Sequence, residues 1–178
     1  LAKSLGVPEI EAHALNNVGS ALVDDGQPRG FDLLGQSLAI SLEHGFHEHA
    51  ARAYVNATEA ALRGRFLSRV ESLLDEGLAF VRKHDMDVYA PCLVNSSGQL
   101  KLMHGRLDEA ADEAQRELRR HADGHSIIVQ RPLEAVLATV AMLRSPHAEP
   151  GVLVTLWPDV LAMGEPDSIV PIALGLAE

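Results

Sequence analysis

The stretch GRFLSRVESLLDEGLAFVRKH, residues 64–84, decides the fold class of this chain. Its apolar residues recur three and four positions apart, as Val70, Leu73, Leu74, Leu78 and Val81. That spacing puts them on one side of an α-helix, whereas a half-buried strand would alternate apolar and polar residues. The stretch therefore predicts an amphipathic helix that buries one face against a core.

Segments on either side repeat this helical spacing. One stripe comprises Phe31, Leu34, Leu38 and Leu42, and another comprises Leu107, Ala110, Ala111, Ala114 and Leu118. We predict helices over residues 8–25, 29–44, 47–63, 67–84, 87–104, 107–121 and 127–144, and a later pair near 153–163 and 168–177. Pro132 lies inside the seventh helix and indicates either a kink or the true start of that helix. No segment predicts a strand.

The helices are punctuated by a repeated motif, in which a small residue is followed seven positions later by a glycine. The three instances run from Gly19 to Gly26, from Ala57 to Gly64 and from Gly98 to Gly105. The closing glycines are 38 and 41 residues apart, longer than the ~34 residues of a standard tetratricopeptide unit. Each is expected just after a helix, in the left-handed conformation that glycine adopts without penalty.

Together the stripes and the punctuation predict an all-α fold of tetratricopeptide-like antiparallel helix pairs, stacked into a right-handed superhelix. We expect one domain over residues 1–178 with pairs at 8–44, 47–84, 87–121 and 127–163, and the start of a further helix at 167–178. Leu1 falls inside a helical pattern and Glu178 follows no cap. These ends indicate a fragment of a longer chain.

The composition of the chain limits the classes of partner that we expect it to bind. The formal charge of −10 would repel a phosphate backbone, so we expect no direct contact with nucleic acid by this segment. Cys92 is the single cysteine, which excludes an intramolecular disulfide and suits a reducing compartment. No apolar run reaches the ~20 residues of a membrane helix, and no signal peptide is evident. We therefore predict a cytoplasmic protein without a membrane partner.

The sequence gives no support for a catalytic or a metal-binding motif. His44, His47, Glu48 and His49 lie within six residues, but Gly45 interrupts them and residues two apart on a helix face different ways. HExxH, CxxC, a phosphate-binding loop and GxSxG are all missing from the sequence. We expect no catalytic residue, no metal site, no cofactor and no enzymatic activity.

One polar feature follows the repeat. Asn16 and Asn95 each lie ten residues before a closing glycine, and Tyr54 takes the same position before Gly64. If first helices line a concave surface, these side chains and those one turn later should form a groove for a polar ligand. The predicted groove residues are Asn16, Ser20, Tyr54, Thr58, Asn95 and Gln99. The alternative is that the asparagines cap or bridge neighbouring helices.

Three segments, LNNVGSALVDDGQ, GRFLSRVESLLDEGLAF and GRLDEAADEAQREL, resemble the helical arrays of large bacterial MalT-like, LuxR-type ATP-dependent transcriptional regulators. The C-terminal stretch WPDVLAMGEPDSIVPIALGLAE is similar to later pairs of such arrays. The resemblance implies a sensor region between a nucleotide-binding domain and a DNA-binding helix-turn-helix. Neither of those two domains lies in these residues.

The sequence thus favours a sensor and protein-interaction module of a cytoplasmic transcriptional regulator. Its expected partner is a protein or peptide, with a small-molecule inducer and a homo-oligomer left open. A free-standing tetratricopeptide-like scaffold or peptide-binding protein is the alternative from the same fold. A small helical metalloenzyme that uses the histidine-rich turn is the remote alternative.

Overall fold

A computed structural model describes residue 4 and residues 6–121, 127–144 and 151–163, and every regular element in these ranges is helical. The eight α-helices are α1 Pro8–Asp24, α2 Arg29–Glu43, α3 His47–Arg63, α4 Leu67–Lys83, α5 Ala90–Met103, α6 Leu107–Arg120, α7 Ile127–Arg144 and α8 Gly151–Met163. A 3-10 turn, Asp87–Tyr89, leads into α5. The all-α prediction is confirmed, and the helix ends lie within about two residues of their predicted positions, apart from that turn.

Two of the sequence expectations on helices need comment. The helix α7 begins at Ile127, so Pro132 lies within it and does not mark its start. The predicted helix at 168–177 lies outside the described residues. The right-handed superhelix stays a prediction.

The turns that close the helices share one geometry. In five of them the residue after the C-cap has a positive φ between 55° and 73°, namely Gly26, Gly45, Arg65, Asp85 and Gly105. The next backbone N–H donates to a carbonyl five residues earlier, as from Phe46 to Ser41 at 2.9 Å and from Phe66 to Ala61 at 2.9 Å. This is the Schellman arrangement, which satisfies carbonyls that the helix end leaves free.

Gly64 does not have the left-handed conformation that the repeat predicted. Its φ is −73°, and Arg65 takes the left-handed position at φ 55°. A Cβ on Gly64 would lie 2.6 Å from the ring of Phe66, so a side chain there would displace that exposed ring. The turn residues Gly26, Arg65 and Gly105 are therefore 39 and 40 residues apart, a more regular repeat than the glycines alone suggested.

The chain divides into two compact units, Leu1–Ser96 and Ser97–Glu178, with the division inside α5. In the first unit, α1 and α2 pack as an antiparallel pair. The Ser37 hydroxyl donates to the Ala12 carbonyl at 2.7 Å, while Gly19 lies against Gly30 and Leu34 at the other end. Small residues let the two backbones come close together.

The next helix of the first unit, α3, is almost entirely buried along its alanine-rich length. Leu34 of α2 packs with Ala57 and Ala60, so the first pair covers one side of α3. Gly77 of α4 approaches the ring of Tyr54 on α3. Burial, and then the nearby Glu76 carboxylate, raises the pKa of Tyr54 above its ordinary 10.0.

The second unit packs through both apolar and charged contacts. Gly98 of α5 lies against Val136 of α7, and Ala135 and Ala138 form a core cluster with Leu156 and Val160 of α8. Lys101 bonds both the Ser97 hydroxyl at 2.6 Å and the Glu113 carboxylate of α6 at 2.5 Å. Further ion pairs join Arg131 to Asp159 at 2.9 Å and Arg144 to Asp108. In the parts of the chain described, no helix is long and apolar enough to cross a membrane.

Candidate binding surface on helices α1 and α3

The helices α1 and α3, which are the first helices of two successive pairs, run side by side in the same direction. Polar contacts join them in the same order along both helices. His13 meets Arg52, Ser20 meets Asn56, and Asp24 meets Arg63. The partners are 39, 36 and 39 residues apart in the sequence, close to one repeat. We call this row of polar side chains the α1–α3 seam.

At the N-terminal end of the seam, histidines and carboxylates form a connected group. Nε2 of His49 lies 3.5 Å from a Glu9 oxygen, and its ring meets the His13 ring edge-on at a centroid distance of 5.5 Å. Arg52 donates to His13 Nδ1 at 3.3 Å and to Glu48 at 2.8 Å. Because a guanidinium can only donate, Nδ1 of His13 acts as an acceptor.

The middle and far end of the seam hold an amide, a hydroxyl and one ion pair. The Asn56 amide donates to the half-buried Ser20 hydroxyl at 3.2 Å. Arg63 donates to Asp24 at 3.0 Å, and about a third of the Arg63 side chain is exposed. Tyr89, before α5, donates to Glu48 at 3.4 Å. The seam thus presents donors and acceptors to solvent along several helical turns.

The predicted groove residues do not all lie on this surface. Asn16, Tyr54 and Thr58 are buried, with exposed fractions of 3%, 5% and 0%, and these side chains do not face solvent. The Thr58 hydroxyl donates to the carbonyl of Tyr54 within α3. Burial of these three side chains is contrary to the concave surface that we predicted for them.

The other three predicted residues are half-buried. Ser20 belongs to the seam through its bond to Asn56. Asn95 lies in the first unit and Gln99 in the second, both on α5. A binding role for these three stays a prediction.

Asn16 is the most unusual of the six. Neither its amide nitrogen nor its amide oxygen has a hydrogen-bond partner, although both atoms are buried. The proposed bridge between helices is therefore not formed by this side chain. Burying an unpaired amide costs about 1–3 kcal/mol, so we expect this position to lower the stability of the first pair.

We did not predict the seam from the sequence, although two of its contacts join residues that lie 39 positions apart. The seam residues His13 and Asp24 stand 39 positions before their partners Arg52 and Arg63. An acid that precedes a base by one repeat length predicts an ion pair between parallel neighbouring helices. Aligning the repeats on Gly64 shifted the second repeat by one residue and obscured this match.

The histidine side chains of the histidine-rich turn point in two directions. The His47 ring lies tilted against His84 at a centroid distance of 4.0 Å and edge-on to Phe80 at 5.9 Å, whereas His49 faces Glu9 and His13. In the described ranges, no group of three or more His, Cys, Asp or Glu side chains could hold a metal ion. His121 lies 3.2 Å from the buried Glu117.

Comparison with known proteins does not assign a family. No protein-family model matches the chain, and no curated protein is similar enough to be matched to it.

Proposed function

We propose that this chain is a sensor and protein-interaction module that binds a protein or peptide along the α1–α3 seam. The observation that carries the proposal is the row of part-exposed polar contacts between two parallel helices. Exposed ion pairs are each worth at most about 1 kcal/mol, so a partner can exchange them for its own contacts at little cost. Arginine and tyrosine are also enriched among residues that dominate binding energy.

The charges along the seam indicate the kind of partner. Three carboxylates, Glu9, Glu48 and Asp24, lie along the seam together with the guanidinium groups of Arg52 and Arg63, so both signs of charge are present. A strand of peptide with both donors and acceptors fits such a surface better than a polyanion does. The net charge of −10 adds a general preference for a basic partner.

We further propose that the module serves a cytoplasmic transcriptional regulator, as the sequence resemblance implies. In that setting, occupancy of the seam would shift an equilibrium between two conformations of the regulator. Three segments of helical sequence support this context, and the coding sequence around the chain tests it. A phosphate-binding loop upstream and a helix-turn-helix downstream would favour the regulator, whereas their absence from the whole gene would favour a scaffold protein.

The seam itself is tested by site-specific crosslinking in cells. A photoreactive amino acid replaces Arg52 in one variant and the exposed Arg82 of α4 in a matched control. We expect one dominant crosslinked partner from position 52 that position 82 does not capture. Identical partners at both positions, or none at position 52, would contradict a binding role for the seam.

The captured partner then allows a quantitative test with the purified proteins. We expect Arg52→Ala to weaken binding at least tenfold, which corresponds to about 1.4 kcal/mol. The same change should alter the free energy of unfolding by less than about 1 kcal/mol, because the ion pair with Glu48 is on the surface. An unchanged affinity would remove Arg52 from the binding site.

A further inference from the structure

The helix α1 carries a second exposed surface, which is apolar. Ile10 and Val18 are 58% and 51% exposed, and Ala14 and Ala21 are exposed beside them. These residues are four, four and three positions apart, so they lie on one face of the helix. We call Ile10, Ala14, Val18 and Ala21 the α1 strip. It is distinct from the polar residues of the α1–α3 seam.

The matching positions of α3 show what such a strip does. One repeat of 39 residues later stand His49, Ala53, Ala57 and Ala60. Ala53, Ala57 and Ala60 are buried, and the last two pack with Leu34 of α2. Phe31 and Val23 of the first pair pack against the same cluster. On α3 this face is therefore the contact with the preceding helix pair.

The turn before α1 matches the turn that joins the first two pairs. Gly6 has φ 65° and is followed by Val7, the N-cap of α1, whereas Gly45 has φ 69° and is followed by Phe46, the N-cap of α3. Ser4, on the other side of Gly6, is helical. Gly6 thus has the place after a helix that Gly45 has after α2. The chain enters α1 as it enters α3.

From these two observations we propose that the α1 strip is the docking surface for a further helix pair of the same type, joined to α1 through the Gly6 turn. The second helix of that pair would lie on α1 as α2 lies on α3. It would present bulky apolar side chains, equivalent to Leu34 and Phe31, to Val18 and Ala21, which match Ala57 and Ala60 of α3. Covering Ile10 and Val18 with that helix would remove their apolar surface from water.

The test supplies the missing pair from the chain itself. Residues 6–44 are duplicated in tandem ahead of Gly6 in the full chain, which adds one 39-residue repeat with its own Leu34 and Phe31. We expect amide hydrogen exchange in the original α1 to slow at least tenfold and the thermal midpoint to rise. Val18→Asp in the original α1 should reverse that protection in the duplicated protein, while having little effect on exchange in the parent chain.

Val88→Asp provides the matched control, because Val88 is 68% exposed and remote from the added interface in sequence. It should have the same effect in the parent and in the duplicated protein. Unchanged exchange in α1 after the duplication would overturn the proposal. So would a parent chain that sediments as a dimer and becomes monomeric with Val18→Asp, since the occupant would then be a second copy. Neither result bears on binding at the α1–α3 seam.

Discussion

The first two helix pairs both turn at a left-handed residue but are packed by different side chains. Between α1 and α2 the contact is backbone to backbone, through Gly19 and Gly30. Between α3 and α4 the contact is made by rings: Tyr54 lies 5.6 Å from Phe80, and His47 lies 4.0 Å from His84 at the end of α4. The repeat therefore specifies where helices turn, while the interior of each pair has its own solution to close packing.

The difference teaches which positions of each pair tolerate change. An interior of glycines has no spare volume, because its backbones already touch. An interior packed with aromatic rings is less rigid at the ring edges and depends on contacts between the ring faces. Exchanging residues between matching positions of the two pairs shows which residues the repeat needs and which residues are needed only for packing within one pair.

The largest effect is expected at the glycine contact of the first pair. In Gly30→Ala, the new Cβ would lie 2.5 Å from the Gly19 carbonyl oxygen and 2.7 Å from the Val23 nitrogen, so the helices must separate. We expect a loss of about 3 kcal/mol in the free energy of unfolding, measured by urea titration. Gly35→Ala is the matched control, since nothing lies within 4 Å of its Cβ and it should stabilise by about 0.5–1 kcal/mol. Equal effects would refute the close contact.

The next effect concerns the buried amide of the first pair. Asn16 lies ten residues before the turn residue Gly26, and the buried Val55 lies ten residues before Arg65. We expect Asn16→Val to raise the free energy of unfolding by about 1–2 kcal/mol, because it removes an unpaired amide. A loss of stability in the same titration would show instead that a bound water satisfies this amide.

A smaller effect is expected from exchanging the turn residues. Arg65 has the left-handed conformation that Gly26 has in the first pair. Arg65→Gly should stabilise the protein by about 0.5–1 kcal/mol, and Gly26→Ala should destabilise it by about 1 kcal/mol. Thermal unfolding of both variants provides the measurement. If Arg65→Gly were destabilising, the Arg65 side chain would have a stabilising contact that outweighs its backbone strain.

The smallest effect is a pH dependence confined to the ring-packed pair. Burial, and then the nearby His47 and Lys83, lower the pKa of His84 below 6.5, while Asp85 opposes the shift. As the pH falls below 6.5, the unfolded chain takes up this proton before the folded protein does, so stability declines with falling pH.

The measurement compares thermal midpoints at neutral pH and near pH 5. We expect the thermal midpoint to fall less between the two conditions in His84→Gln than in the parent chain. In His104→Gln, which changes an exposed histidine of the second unit, this part of the fall should remain. A drop that is unchanged in His84→Gln would contradict the lowered pKa.

The sequence predicted the helices well because their ends are set by local signals. Apolar spacing marked each helix, and glycine marked most of the turns. At the turn after α3, the predicted left-handed residue was wrong by one position. Gly64 lies against the Phe66 ring, while Arg65 takes the left-handed conformation. A glycine required for packing and one required for backbone conformation are indistinguishable in a single sequence.

The candidate surface was predicted less well because one residue of shift moves a side chain about 100° around a helix. Asn16 and Tyr54 were expected to face solvent, but the neighbouring faces, with Asn17 and Asn56, are the more exposed ones. Burial of Asn16 depends on how α1 meets its neighbours. Polarity alone gave the opposite expectation, since most asparagines lie on the surface.

The regular spacing of the turns has a consequence for how the chain reaches this structure. Left-handed residues follow one another every 19 to 20 positions from Gly6 to Gly105. The hydrogen bonds that tie α1 to α2 and α3 span only 25 to 39 residues. Short sequence separations mean little loop-closure entropy before a contact forms, so topologies of this type fold on microsecond to millisecond timescales. A helix pair near the N-terminus can therefore be complete while a ribosome is still adding the next one, at about 5–20 residues per second.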